Sequence, residues 1–242
     1  MIRKLFVLAP LLSIVLTSSA QPGMQGQAGE HQLGDWRNFA EQTQVVLQLN
    51  PFSKRANTVG SQFLFDDWVK GKVINTNAAE FTEGLYNFNK ISQNLYVQMK
   101  DTSSSVAFLV DRDQLKSIYL SDGNQSYLLE KVAALDPGSF YSVLAKGNKY
   151  TLYSQVKTIF IASNFETNGI VTSGNNYDEY KDQVSYWVVF ADGSPHEISL
   201  KKKSIKNVFA AEKENVDQFY KTNAAAEQNE MFLSGLVTFL NQ

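Results

Sequence analysis

Short apolar runs separated by turn residues fill the centre of the chain. The runs are rich in β-branched and aromatic residues, which favour pleated, half-buried strands. They read FLFDDWVKGKVI (63–74), EFTEGLYNFN (80–89), QNLYVQMK (93–100), SVAFLV (105–110), QLKSIYLS (114–121) and QSYLLEKV (125–132). The short connections are rich in Asn, Asp and Gly, which suits hairpins, and they are too short for a crossover helix. The centre therefore predicts an antiparallel meander.

Two further apolar runs follow the Asp-Pro-Gly break at 136–138. FYSVLAKG (140–147) predicts a strand. KYTLYSQVKTIFIAS (149–163) predicts a longer strand, although its lysines and glutamine also fit a helix. Residues 164–176 are polar and rich in Gly and Asn, which indicates a loop. The Asp192-Gly193 pair, with apolar runs on both sides, predicts a hairpin of residues 184–190 and 196–200.

The apolar period changes after Lys201. Apolar residues now recur three and four positions apart, which places them on one stripe of a helix. Ser204 is the expected N-cap of the first helix. The stripes comprise Ile205, Val208 and Phe209, then Val216, Phe219 and Tyr220, then Phe232, Leu233, Leu236, Val237 and Leu240. The predicted fold class is therefore α+β, with an antiparallel β-meander that forms a curved sheet or open barrel and two or three short C-terminal helices.

The first 20 residues have the pattern of a secretory signal peptide. Arg3 and Lys4 precede an apolar run from Leu5 to Leu16, and small residues lead up to Ala20. The run is shorter than the roughly 20 residues that a membrane span needs, and no cysteine follows it for lipid attachment. We expect an exported protein of the periplasm or cell surface that is soluble, not lipidated and without a transmembrane span.

Three segments make up the predicted organisation of the chain. Residues 1–20 form the signal peptide, and residues 21–57 form a flexible leader that is partly helical. The Gly- and Gln-rich start of the leader offers little apolar surface to bury. Residues 58–242 form one β-rich domain that carries the helices at its C-terminal end, and their number suffices for a single core.

The composition excludes several function classes. The chain has no cysteine, which removes disulfides, thiolate metal sites and thiol nucleophiles. Its net charge of −2 gives no electrostatic reason to expect a nucleic acid partner. The sequence contains no P-loop or dinucleotide-binding glycine pattern, so we predict no cofactor.

Catalytic patterns are weak. His31 lies in the predicted leader, which leaves His196 as the base for a serine hydrolase, but no serine stands in a G-x-S-x-G motif. Adjacent Asp66 and Asp67 point to opposite faces of a strand, so they form a poor pair for glycoside hydrolysis.

Patterns for ions and lipid headgroups are equally weak. The oxygen-rich clusters at 111–113 and 175–182 lack EF-hand spacing and stand where turns favour Asp and Asn. The basic run at 201–203 fits the solvated start of a helix better than a site for lipid headgroups.

Aromatic residues provide the main functional indication. The chain has 16 Phe and 11 Tyr, which either fill the core of the sheet or line an apolar groove on an open curved sheet. The leading hypothesis is an exported, non-enzymatic envelope protein that binds a lipid, another apolar or amphipathic ligand, or an envelope component. The residues predicted to bind it are Trp68, Tyr86, Phe88, Tyr96 and Tyr119.

Two other functions stay open. One is a structural or interaction module of an envelope complex, which recognises an envelope protein through a sheet edge or the C-terminal helices and needs no small-molecule ligand. The other, less favoured, is a carboxylate-dependent hydrolase, since the sequence pairs no two carboxylates.

Aromatics, glycines and turn residues form a recognisable pattern over most of residues 58–242. The pattern comprises Gly60-Ser61, Phe63-Leu64-Phe65, Trp68, Gly71, Val73, the run from Leu85 to Asn89, Tyr180, Tyr186-Trp187-Val188, Gly193, Lys201-Lys202-Lys203 and Asn241. It resembles a broad group of exported β-rich proteins of Bacteroidota that have no known activity. The resemblance implies a periplasmic or cell-surface location and a β-rich domain. A looser similarity, of fold alone, is to the open half-barrels of lipoprotein carriers, which hold acyl chains against a curved sheet.

Overall fold

The computed structural model describes residues 45–46, 56–98 and 107–242. These residues form three β-sheets and, at the C-terminal end, three short helices. The predicted α+β class, with an antiparallel meander and C-terminal helices, is confirmed. The predicted signal peptide and most of the predicted leader, including His31, lie outside the described residues.

A large open sheet forms the centre of the fold. Its spatial order is β15 (Pro195–Ile198), β14 (Asp178–Phe190), β11 (Tyr150–Ile161), β10 (Tyr141–Lys146), β9 (Ser126–Glu130), β8 (Leu115–Ser121), β3 (Lys70–Asn75) and β4 (Glu80–Phe81). Neighbours along this order pair antiparallel, whereas β2 (Thr58–Val59) pairs in parallel with the start of β14. The open order, with β15 and β4 at its two edges, is consistent with the predicted curved sheet.

A smaller sheet packs against the large one. Its order is β1 (Val45–Val46), β7 (Ala107–Leu109), β6 (Asn94–Gln98) and β5 (Leu85–Asn89). β1 lies in the segment that the sequence predicts to be a flexible leader. Its two valines nevertheless pair with β7 in this sheet.

The chain that precedes β3 runs beside β5 without forming a regular strand. The backbone N–H groups of Leu64 and Val69 each donate to a carbonyl of β5 at 2.9 Å. Between them, Asp66 and Asp67 are exposed. The apolar run at 63–74 therefore forms two paired segments separated by a bulge, whereas its composition predicted one continuous strand.

β11 and β14 form a long hairpin. They pair continuously over residues 150–161 and 179–190, so the run for which a helix was the alternative is a strand. The connecting segment, predicted as a loop, contains a second ribbon formed by β12 (Glu166–Thr167) and β13 (Thr172–Ser173).

The three helices are α1 (Lys202–Val208), α2 (Lys213–Thr222) and α3 (Glu230–Leu240). The predicted N-cap of α1 is wrong, because Lys201 occupies the cap position and its side chain makes no capping hydrogen bond. Ser204 lies inside the first turn, where its hydroxyl accepts a hydrogen bond from the Ser199 N–H at 3.0 Å. A serine near a helix start bonds whichever backbone donor lies in reach.

One face of the large sheet carries two hydrophobic cores. Side chains of directly paired residues share a face. The small sheet covers one end of that face, where its side chains cluster with those of β8 and β9, among them Tyr86, Phe88, Leu95, Val97, Ile118, Leu120 and Leu129. The helices cover the other end, where they cluster with β11 and β14 through Leu152, Val188, Ile205, Val216, Leu233, Leu236 and Leu240.

The two cores are separated on the sheet by small side chains. Ser142 on β10 pairs with Leu129 on one side and with Ser154 on the other, and Ser154 pairs with Tyr186. These residues therefore lie on the same face as the two cores. The two serines occupy the strip where neither the small sheet nor the helices provide a full covering.

None of the helices in the described ranges is long and apolar enough to cross a membrane.

Candidate functional site

A cavity of about 280 Å³ lies over the strip between the two cores. Ser142, Ser154 and Val156 line its floor on the large sheet. Short side chains on adjacent strands leave this volume open, since Ser142 and Ser154 are direct cross-strand partners. The cavity therefore follows from the sequence at the centre of β10 and β11.

Apolar side chains supply about half of the exposed cavity wall, and polar groups supply the rest. The apolar residues include Leu64, Phe88, Leu129, Phe140, Leu144 and Val156. The Phe88 and Phe140 rings meet edge to face, with 5.7 Å between centroids, and this contact fixes one side of the wall. A wall of mixed polarity suits an amphipathic group, whose hydrocarbon part contacts the apolar side chains.

The exposure of the lining residues locates the mouth. Phe88, Phe140 and Ser154 are buried, so they lie at the inner end of the cavity. Ser126 and Glu230 also line it but are exposed. The cavity therefore opens to solvent between the start of β9 and the start of α3.

An ion pair lies beside the cavity on the side of the β5–β6 turn, and 43% of its Asp182 side chain is exposed. The Lys90 ammonium lies 2.7 Å from a carboxylate oxygen of Asp182 on β14, and only 10% of the Lys90 side chain is exposed. Thr158 donates a hydrogen bond to the same carboxylate at 2.5 Å. Beyond the pair lies a second groove of about 470 Å³ that includes Arg112 and Lys157. Lys90 lines both spaces and therefore stands between them.

A tyrosine and a carboxylate meet at the mouth. Burial raises the pKa of Tyr186 to about 12, and both the charge of Glu230 and a hydrogen bond to its carboxylate favour the neutral phenol further. Tyr186 is therefore a neutral donor near pH 7, with Glu230 as its charged acceptor. Glu230 lies in the first turn of α3, where the helix dipole stabilises a negative charge.

The lining offers binding groups but little catalytic chemistry. It contains serines but no histidine that could act as their base. Lys90 is engaged with Asp182 and so is a weak nucleophile. Within the ranges that the structure describes, no three His, Cys, Asp or Glu residues gather in a way that could hold a metal ion.

The structure does not bring the five predicted ligand-binding aromatics together. Tyr86 and Phe88 are buried in the core between the sheets, and the Tyr86 hydroxyl donates to the Glu83 carbonyl at 2.6 Å. Phe88 alone of the five lines the cavity. Its ring serves the core and the cavity wall at once.

The other three predicted aromatics lie elsewhere. Tyr96 is half-buried, and its ring centroid lies 5.8 Å from that of Phe63. Trp68 is half-buried at the bulge, where its backbone N–H donates a hydrogen bond to the Asp67 carboxylate at 2.7 Å. Tyr119 is exposed on β8, between buried Ile118 and Leu120, so it lies on the face opposite the cavity. A ligand role for these five residues as a group stays a prediction.

The remaining sequence candidates lie on the surface. His196 is exposed, and its ring centroid lies 4.4 Å from that of Phe190. Asp66 and Asp67 are exposed at the bulge. Residues 201–203 are exposed at the start of α1, the placement favoured from the sequence.

Sequence reasoning missed the residues that make the cavity. Ser142, Ser154, Lys90 and Glu230 were not singled out, because each is ordinary in its own stretch of sequence. One signal was present: the serines occupy inward positions of otherwise apolar strands, where large side chains are the usual filling. The opposition of the two serines depends on strand register, which only the structure supplies.

Comparison of the chain with protein-family models, with curated proteins and with solved structures finds no match.

Proposed function

We propose that this is an exported, non-enzymatic envelope protein that binds a small apolar or amphipathic ligand in the cavity between the small sheet and the helices. The observation that carries the proposal is the cavity itself, whose wall combines apolar side chains with serines on the floor and a carboxylate at the mouth. Ligand sites commonly combine an apolar lining with a few fixed polar groups. The serines of the floor and the Tyr186–Glu230 pair at the mouth supply those groups.

The volume of the cavity limits the size of the ligand. An engineered apolar cavity of ~150 Å³ stays dry and binds benzene. The present cavity, at about 280 Å³, is nearly twice as large. It suits one short hydrocarbon chain or a compact ring system, with a polar end directed towards Glu230.

Export and a non-enzymatic role are proposed from separate observations. Export is proposed from the charged, apolar and small-residue order of residues 1–20. A non-enzymatic role is proposed because the cavity contains no histidine beside its serines.

Native mass spectrometry tests ligand binding directly. The protein is purified without detergent from the cells that produce it, and its mass is measured before and after extraction with organic solvent. We expect a stoichiometric excess mass that extraction removes. The same measurement reads the mass of the chain and so shows whether residues 1–20 have been removed.

A cavity-filling variant ties binding to this site. Ser154→Leu places an apolar side chain on the cavity floor, so it should lower binding of N-phenyl-1-naphthylamine, a small apolar fluorescent probe, at least about tenfold. The free energy of unfolding should stay close to that of the unaltered protein, because the larger side chain enters the open cavity. Thr151→Leu, on β11 but on the opposite face, is the matched control and should bind the probe normally. Equal probe binding by both variants would remove the cavity as the binding site.

A further inference from the structure

The hairpin of β11 and β14 extends beyond its antiparallel neighbours, β10 and β15. β10 pairs with β11 only as far as Ser154, and β15 pairs with β14 only over residues 186–189. Residues 156–161 therefore pair with β14 alone, over roughly 20 Å at about 3.3 Å per residue. We call residues 156–184 the hairpin arm. Every residue from 159 to 176 is exposed, whereas β2 pairs with Asp178 and Glu179 at the edge of the arm.

The end of the arm is a built structure. We call residues 164–175 the tip. The Ser163 hydroxyl donates to the Asn175 carbonyl at 2.7 Å, and the Asn175 N–H donates to the Asn164 side chain at 2.8 Å. Gly174 packs so closely on the Asn164 carbonyl that a Cβ would overlap it. These contacts join the two ends of the tip at its base.

Apolar side chains occupy the apex of the tip. The turn between β12 and β13 is closed by a hydrogen bond from the Asn168 N–H to the Val171 carbonyl at 3.1 Å. Ile170 in that turn is 97% exposed and Val171 is 64% exposed. Phe165 follows at 48%. Singly exposed apolar residues are common, but a cluster at the end of a projection indicates an interaction site.

The polarity of the arm changes with distance from the apex. Over residues 159–177 the only charged side chain is Glu166. Behind the aliphatic apex stands an aromatic pair, Phe160 and Tyr180, with ring centroids 5.2 Å apart. Charged side chains flank this pair on β14, with Asp178 and Glu179 on the side of the tip and Lys181 on the side of the sheet. The apex itself, residues 167–173, carries no charged side chain. Its aliphatic groups therefore match the hydrocarbon layer of a bilayer surface, and the aromatic pair matches the interface.

We propose that the tip docks the protein on a lipid bilayer by inserting Ile170 and Val171 below the headgroups. Phe165, Phe160 and Tyr180 then lie at the level of the headgroups, and Lys181 stays in water. The proposal rests on the tip and is independent of ligand binding in the cavity.

The small convex apex favours a bilayer over a protein as the partner. A stable protein interface buries about 1,200 Å² or more in total, which a turn with two apolar side chains cannot supply against a flat surface. A fluid bilayer surrounds an inserted side chain on all sides, so a small apex is fully buried there. The arm also carries more carboxylates than free lysines, so insertion rather than attraction to anionic lipid drives the contact.

Sedimentation with vesicles tests the proposal. The protein is mixed with phosphatidylcholine vesicles, which have no net charge, at about 0.1 M and 0.5 M salt. We expect binding that is similar at both concentrations, since apolar insertion is not screened by salt. The double variant Ile170→Ser/Val171→Ser should lower the partition coefficient at least about tenfold, because burial of one such side chain is worth about that factor.

A matched control separates the tip from exposed apolar residues in general. Tyr119→Ser/Met231→Ser removes two exposed apolar side chains outside the arm and should leave vesicle binding unchanged. All variants are compared by circular dichroism and thermal unfolding, and surface substitutions should not alter either. Ile170→Trp adds a local readout, whose fluorescence should shift to the blue when vesicles are added.

Three results would overturn the proposal. One is no binding to phosphatidylcholine vesicles together with no spectral shift at position 170. Another is equal loss of binding in the tip variant and in the control variant. The third is self-association without lipid that the tip substitutions abolish, which would assign the tip to a second copy of the chain.

Discussion

A single buried amide organises the irregular pairing beside β5. Asn87 is fully buried. Its side-chain oxygen accepts from the N–H groups of Phe65 and Phe88 at 3.2 and 2.8 Å. Its side-chain nitrogen donates to the carbonyls of Phe65 and Asp67 at 2.8 and 2.9 Å. The amide thus supplies the partners that the bulge at Asp66 and Asp67 denies to the backbone.

Replacing Asn87 should therefore be costly. Asn87→Ala removes the partner of three buried backbone groups, namely the N–H groups of Phe65 and Phe88 and the Phe65 carbonyl. Each unpaired group costs about 1–3 kcal/mol, so we expect the free energy of unfolding to fall by about 3 kcal/mol or more. Denaturant unfolding of the variant measures the change. Asn148→Ala, at an exposed turn, should change stability by less than about 0.5 kcal/mol. A loss as small as that of the control would show that the bulge does not depend on the amide.

Aromatic side chains mark the limit of prediction at this scale. Tyr86, Phe88 and Tyr119 all occur in β-rich runs with similar neighbours, and nothing local separates a core residue from a groove residue. The structure separates them by the covering layer, since the small sheet lies over the first two and leaves Tyr119 exposed. Which face is covered depends on contacts between distant segments, and one sequence does not encode them in a readable pattern.

The end of α3 is attached to the β10–β11 turn. The side-chain oxygen of Asn241 accepts from the N–H groups of Lys149 and Tyr150 at 3.0 and 2.9 Å. Its side-chain nitrogen donates to the Tyr150 and Val237 carbonyls, both at 2.9 Å. Gly147 faces the same amide so closely that a Cβ there would overlap it. One residue after the helix thus joins the last helix to the middle of the sheet.

This contact predicts coupling between the turn and the helix end. Gly147→Ala should destabilise the protein by about 1–3 kcal/mol, as over-packing commonly does. In the Asn241→Ala background the added methyl group meets free space, so its cost should fall and the two changes should be non-additive. A double-mutant cycle from denaturant unfolding measures this coupling. Gly138→Ala, distant from the helix end, should add to Asn241→Ala without coupling; coupling of the same size there would contradict the contact.

The elements themselves were largely predictable. The Asp192-Gly193 hairpin is present, with a positive φ of 84° at Gly193 that glycine adopts readily. The helical periods after Lys201 mark all three helices. The run at 149–163 left strand and helix open, because its lysines and glutamine also fit a helix. In the structure residues 150–161 pair continuously with β14, so the run is a strand.

Tyrosines are distributed through the cores of the whole molecule. Burial is the main cause that raises the pKa of eight of them above the ordinary value of about 10, namely Tyr86, Tyr96, Tyr127, Tyr141, Tyr150, Tyr153, Tyr186 and Tyr220. Each keeps its proton in the folded chain at a pH where the unfolded chain has lost it.

The protein should therefore lose stability at alkaline pH. Above about pH 10 the unfolded chain binds fewer protons than the folded chain, so the free energy of unfolding falls as pH rises. The free energy of unfolding continues to fall until the pH passes the pKa values of the folded chain. For Tyr186 this pKa is about 12. Denaturant unfolding from pH 8 to 12 measures it, and Tyr186→Phe should make the decline less steep than Tyr119→Phe does. A flat profile above pH 10 would contradict the burial of the tyrosines.

The cavity belongs to the scale of the whole molecule, and this is why the sequence did not predict it. Phe88, Ser154 and Glu230 come from the small sheet, the large sheet and the last helix. Composition indicated an apolar ligand on a sheet rich in aromatics. The cavity lies over the two serines because the small sheet and the helices cover separate ends of the same face. The sequence does not show that arrangement.

The position of α3 after the strands that it covers has a consequence for synthesis. Leu233, Leu236, Val237 and Leu240 cover the apolar face of β11 and β14, and they follow both strands in the sequence. A chain that emerges N-terminus first presents that face uncovered until α3 has emerged as well. The second core therefore forms only once α3 is free to pack, and a product that stops before Glu230 exposes an aggregation-prone sheet.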